Sequence, residues 1–156
     1  MAKPKQLHFE DFVPGKIWEI DGPAFTKAEI IEFASRFDPQ YFHVDEVAAM
    51  DSPFGGLVAS GWHTVGVCMR LICDAYLGQA ASLGSPGVNE IRWTRPVRPG
   101  DSLKLRMTVL EANPSRSKPD RGTVLHRWEV FNQHGELVMH MEGLGMFLRR
   151  PDGRQP

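Results

Sequence analysis

The sequence predicts an α+β fold, a single domain in which a curved antiparallel sheet wraps around one long helix at about residues 61–76. Three observations predict it. Apolar residues recur at helical spacing up to about residue 76, and beyond it the period changes to two. Four strand-like runs then follow one another with hairpin-type connections. The helix that precedes them is apolar nearly all round, so it must be covered by other structure rather than laid on a surface.

At 156 residues the chain suits one domain with a proper core. A formal net charge of −1 argues against a dedicated nucleic-acid binder. No apolar run reaches the ~18 residues a membrane span needs, and the basic start MAKPKQLHFEDF has no apolar stretch behind it, so no secretory signal is read there. Cys68 and Cys73 fall in one helix, roughly 140° apart around its axis, and cannot bond to each other. They read as reduced thiols of a cytoplasmic protein.

In chain order, residues 1–6 read as a flexible tail, and 15–20 (GKIWEI) as a short strand. Thr26 and Glu29 form a capping box, and Ile30, Phe33, Ala34 and Phe37 give an amphipathic helix over about 27–37. Pro39 ends it, because the residue before a proline is pushed out of helical geometry. That residue is Asp38, so the chain turns there and lets His43 face the same space. Asp45 can cap a short turn at EVAAM, and DSPFGG is a turn by composition. Ser60 suits the N-cap of the long helix, whose expected apolar stripe is Trp62, Val65, Met69, Ile72 and Tyr76. Strands are expected at 88–94, 102–111, 122–132 and 136–148. Along the second of these, Leu103, Leu105, Met107 and Val109 face one way, and Lys104, Arg106 and Thr108 the other. The domain therefore spans 7–149, with a second tail at 150–156.

The stretch 37–61 carries the chemistry-bearing residues. An acid and an imidazole beside a helix N-terminus suit reactions at a polarised carbonyl. Taken singly, an Asp before a proline is usually a helix-end turn former, and a histidine such as His43 is more often a half-buried structural imidazole; it is their joint spacing that points to chemistry. Gly55 and Gly56 are candidates for lining a substrate tunnel, though turn geometry accounts for them equally well. His63, in the first turn of the long helix, reads as a packing or surface residue within reach of the site. His126, His134 and His140 show no ligand spacing, so no metal is expected.

The order D-P-Q-Y-F-H-V-D at 38–45, V-A-S-G at 58–61, PVRPGDSL at 96–103 and NQHGELV at 132–138 resembles the MaoC-like dehydratases, the (R)-specific enoyl-CoA hydratase group of the hot-dog fold. That family has an aspartate five residues before a histidine in a D-x-N-P-x-H pattern. Gln40-Tyr41 stands where it commonly has Asn-Pro, and Ser60 where a histidine commonly precedes the helix glycine.

The resemblance implies a hydro-lyase that adds or removes water at the double bond of an enoyl-thioester, with no cofactor. Asp38 would be the base, His43 would orient the water and shuttle the proton, and the Gly61 N–H would meet the developing enolate. Ser60 joins Gly55 and Gly56 as a candidate substrate contact. Arg116 and Lys118 could meet the phosphates of a CoA thioester; the alternative is a solvated hairpin loop. The substrate would be carried on CoA or an acyl carrier protein, and the protein would be a homodimer or a dimer of dimers. A hot-dog thioesterase is the main alternative; such enzymes often recruit an acid from the central helix, whose first two turns here hold no Asp or Glu. A non-catalytic acyl-thioester binder is the third.

Overall fold

The computed structural model describes residues 6–151. The tails expected at 1–6 and 150–156 therefore lie outside it, except for Gln6, Arg150 and Pro151. Arg150 is not loose: its guanidinium donates to both oxygens of Asp11, and neighbouring Arg149 pairs with Glu10.

Five antiparallel strands form one open sheet, in the order β1-β3-β4-β5-β2. They are β1 (Ile17–Ala24), β2 (Val88–Trp93), β3 (Ser102–Pro114), β4 (Arg121–Phe131) and β5 (Leu137–Leu148). Four helices, α1 (Lys27–Phe37), α2 (Tyr41–Val44), α3 (Glu46–Ala49) and α4 (Gly61–Ala75), lie between β1 and β2 in sequence. Each of the four strand pairs contains a register shift, among them Val109/Glu111 and Val130/Phe131; such bulges bend and twist a sheet, which lets it curve over a helix.

Alternation decides which face is inward. Leu103, Leu105, Met107 and Val109 are buried while Lys104 is exposed, as the period of two requires. Across the sheet they register with Val130, Trp128 and His126 on β4, and those with Met139, Met141 and Gly143 on β5. Cys68, Ile72 and Tyr76 of α4 join these residues in one core. Burial pushes the Cys68 thiol up to about 12, so it behaves as a small apolar group. The outward face carries exposed ion pairs such as Arg106–Glu19 and Arg127–Glu142, which contribute little each.

Two expectations need correction. Strand β1 starts at Ile17, not 15, and runs on to Ala24, and β3 runs past 111 to Pro114, because cross-strand pairing continues through residues whose local pattern is weak. The buried line of α4 is Thr64, Cys68, Ile72 and Tyr76, whereas Trp62 and Met69 of the expected stripe are exposed. The helix is therefore covered on one flank only; the other flank runs beside β2, an edge strand. At the end of the α1 stripe Phe37 is exposed as well, beyond the buried Ile30 and Ala34.

Candidate functional site

Helix α1 is what places Asp38. Thr26 and Glu29 make the expected capping box at its start, and Asp38 is its C-cap, donating its N–H to the Ala34 carbonyl at 2.8 Å. At Asp38 φ −154° and ψ 67° take the chain out of the helix. A single turn, α2, then brings His43 back. His43 is 6% exposed, and its Nδ1 lies 2.6 Å from the Val58 carbonyl. A carbonyl only accepts, so Nδ1 carries the hydrogen and Nε2 is turned towards Asp38.

The acid and the imidazole meet: His43 Nε2 lies 3.3 Å from Asp38 Oδ2. Two further groups hold the carboxylate. The Gln40 amide donates to Oδ1 at 2.8 Å, and the Ser60 hydroxyl donates to Oδ2 at 2.7 Å. Burial pushes the Asp38 carboxyl up, but these two hydrogen bonds and the nearby His43 more than offset it, and it lies below the ordinary carboxylate value.

Ser60 serves twice, since its oxygen also accepts the Trp62 N–H as the N-cap of α4. Gly61 is the first residue of that helix, a position without an intrahelical acceptor for its N–H. Among the described residues that N–H has no partner. The Trp93 indole lies against Gly61; a Cβ there would sit 2.5 Å from Trp93 Nε1. Asp38, His43, Gly61 and Trp93 line one cleft of about 470 Å³, walled by Phe42, Phe54 and Val97. The Ala59 N–H bonds the Val97 carbonyl at 2.8 Å, which fixes the last residues before α4 against the loop after β2.

Other sequence candidates lie elsewhere. Gly55 and Gly56 do not line the cleft; both have positive φ, and they form the turn beside Phe54. Arg116 and Lys118 sit at the β3–β4 hairpin, at the far end of β3, whose 13 residues make it roughly 40 Å long. Within one chain they do not reach the cleft. His63 is stacked on Phe33 and packed against Phe25, and burial lowers its basicity while Glu29 acts the other way. Among the described residues no three His, Cys, Asp or Glu side chains gather as a metal would require, and no helix is long and apolar enough to cross a membrane.

Gln40 and Trp93 were not legible as site residues. A carboxamide two residues beyond an acid was a usable signal for Gln40, once Asp38 was placed at a helix end. For Trp93 there was none, because its approach to Gly61 spans 32 positions of chain.

A hot-dog sheet and helix carrying an acid–imidazole pair at the helix N-terminus define a class of domain, and comparison with known proteins narrows it. Residues 14–128 match the family model of the MaoC like domain, and the chain belongs to that family. A MaoC-like dehydratase structure from Rhodospirillum rubrum is 42% identical and superposes with a TM-score of 0.86 over 94% of this chain and 99% of that one. Protein YdeM of Bacillus subtilis (strain 168), itself uncharacterised, is 32% identical over 145 residues, 92% of this chain and all of YdeM. The 3-hydroxybutyryl-CoA dehydratase of Methylorubrum extorquens is 29% identical over 113 residues, 72% of this chain and 69% of that one. Lengths differ within the family: the chain spans only 31% of protein MaoC from Klebsiella aerogenes.

Proposed function

We propose that this protein is a hydro-lyase that adds water across, or removes it to form, the double bond of an enoyl-thioester carried on CoA or an acyl carrier protein. The observation that carries this reading is the 3.3 Å approach of His43 Nε2 to Asp38 Oδ2 in a cleft that also holds the Gly61 N–H.

In hydration a water lies between Asp38 and His43, giving a hydrogen bond to each. Its lone pair is then free to attack Cβ. Asp38 takes the proton as the C–O bond forms, and charge moves through the conjugated system onto the thioester oxygen. That oxygen receives the Gly61 N–H at the positive end of α4, an interaction worth about 3 kcal/mol of barrier for a typical oxyanion donor. His43 helps carry the proton to Cα, which balances the addition: hydroxyl on Cβ, hydrogen on Cα. Dehydration runs the same steps in reverse. This chemistry needs a base, a proton path and an oxyanion donor, and asks for no cofactor. Gln40 and Ser60 hold Asp38 in the ionised form that a base requires.

The test is a spectrophotometric assay with crotonyl-CoA, with free thiol followed in parallel. Hydration removes the enoyl absorbance without releasing thiol. Thiol release instead would identify a thioesterase, and binding without turnover an acyl-thioester-binding protein. Asp38→Asn and His43→Ala should each lower kcat/KM by about 10²–10⁴-fold. Retention of full activity by both would remove the site assignment.

A further inference from the structure

Asp38 and Gly61 belong to different helices, so the way α1 docks on α4 sets the distance between them. Both helices are tied at their starts to one loop, the connection from β2 to β3. The Phe25 N–H donates to the Asp101 carbonyl at 2.8 Å, and the Gly100 N–H donates to the Phe25 carbonyl at 2.7 Å, just before α1. The Ala59–Val97 bond ties the chain to the same loop just before α4. For Gly61 that anchor is two residues away. Asp38 sits at the other end of α1, whose 11 residues carry it about 16 Å further on. A small swing of α1 about its fixed start therefore moves the carboxylate while the start of α4 stays in place.

Ile30 and Ala34 hold α1 on the core by burial. A run of rings ties its far half to the start of α4. His63 lies in the first turn of α4 and donates its N–H to the Ser60 carbonyl at 3.0 Å, so it moves as one piece with Ser60 and Gly61. Its ring stacks on Phe33 of α1, with centroids 4.8 Å apart and planes 10° apart, and packs against the buried Phe25 at 4.7 Å. Phe33 in turn meets Phe37, one helical turn on, at 5.1 Å, and Phe37 precedes Asp38. Among the described residues the Phe33–His63 stack is the one ring contact that joins α1 to α4.

The imidazole is held by its faces. Its Nδ1 is buried and has no hydrogen-bond partner among the described residues, an arrangement that costs stability and that a phenyl ring would avoid. His63 does not line the cleft, so any effect on the chemistry passes through the groups it places.

Resting on the hydration proposed above, we infer that His63 is a positioning residue for it. Wedged between the anchored Phe25 and the Phe33 of α1, its ring sets the swing of α1 and so keeps Asp38 within reach of the Ser60 hydroxyl and opposite the Gly61 N–H.

The experiment uses His63→Ala, His63→Leu and His63→Phe in the full chain, each melted first so that every assay lies in the folded range. With crotonyl-CoA, His63→Ala should lower kcat by about 10–10²-fold, the cost of displacing a reacting group by about 1 Å, with KM within about twofold of wild type. The acidic limb of its pH–rate profile should move to higher pH as the Ser60 hydroxyl draws away from Asp38. His63→Leu, which keeps bulk for folding but has no flat face, should move both in the same direction. His63→Phe, which keeps the stack and removes the orphaned nitrogen, should keep the wild-type kcat and limb. Carbon-13 NMR of the Asp38 carboxyl reads the same effect without substrate: its titration should move up in the Ala and Leu variants and stay in place in the Phe variant. A purely structural role lowers Tm but leaves kcat and the Asp38 titration of the folded protein unchanged. That result in His63→Ala or His63→Leu would overturn the inference, as would a His63→Phe variant that folds yet loses its rate. If wild-type protein fails to hydrate crotonyl-CoA while the NMR shifts are found, the hydration reading falls and the placement of Asp38 by His63 stands.

Discussion

Asp38 is a carboxylate held on both oxygens: Gln40 donates to Oδ1 and Ser60 to Oδ2, with His43 Nε2 3.3 Å from Oδ2. Folding therefore favours its ionised form. The sign follows from linkage: a carboxyl held below its ordinary value contributes stability that is present above that value and lost as pH falls through the folded one. If Asp38 is the base, kcat/KM keeps its plateau to a pH below ordinary carboxylate titration. Ser60→Ala removes one donor, so the acidic limb of the pH–rate profile should move to higher pH, and Gln40→Ala should move it the same way. A limb that stays in place in both variants would deny them this role. At Gly61 the expectation is steric as well as chemical. Gly61→Ala drives a Cβ into the Trp93 indole and should abolish measurable hydration; adding Trp93→Ala should recover protein stability, read as Tm, without recovering full rate. The types and spacing of Asp38, His43 and Gly61 were legible because all three hang on local signals: a proline, a five-residue interval and a helix start. The groups that tune them were less so, since a hydrogen bond from Ser60 to Asp38 crosses 22 positions of sequence.

Among the elements, α1 and α4 carry the site at their ends, one through its C-cap and the other through its N-cap. Fraying α1 would loosen Asp38. Thr26→Ala removes the hydroxyl that accepts the Glu29 N–H and should cost about 1 kcal/mol, some 2–4 °C in Tm for a chain of this size. A thermal melt reads it directly, and an unchanged Tm would show that the cap contributes nothing. Helix limits and caps were readable from sequence because each depends on a few neighbouring residues. The buried face of α4 was not. Its apolar residues occupy most of its circumference, and only the position of the sheet decides that Cys68 and Ile72 are covered while Trp62 and Met69 are left out. The long ladder of β3 shows the same limit, since Glu111 to Pro114 are strand because β4 pairs with them.

For the whole molecule, the uncovered flank of α4 is where a second chain fits. Strand β2 ends the sheet with one pairing partner, β5, and beside it lie the exposed Trp62, Met69, Val88 and Trp93. An unpaired strand edge next to an apolar strip invites a second chain, which would also roof the strip. Sedimentation equilibrium should give twice the chain mass; a monomer across the accessible concentration range would count against the proposed homodimer. Arg116 and Lys118, at the far end of β3, would also come near a CoA moiety only if it belonged to a neighbouring subunit's site. The sequence by itself determined the limits of α1 and α4 to within a residue, the inward and outward faces of β3, and that Asp38, His43 and the Gly61 helix start fall in one stretch, because periodicity, capping and turn chemistry act over a few residues, whereas the single turn of α2 carried no such signal. Only the tertiary structure decided which flank of α4 is buried, that Gln40 and Ser60 hold Asp38, and that Trp93 lies over Gly61. These depend on which distant residues the sheet brings together, and no local pattern encodes that.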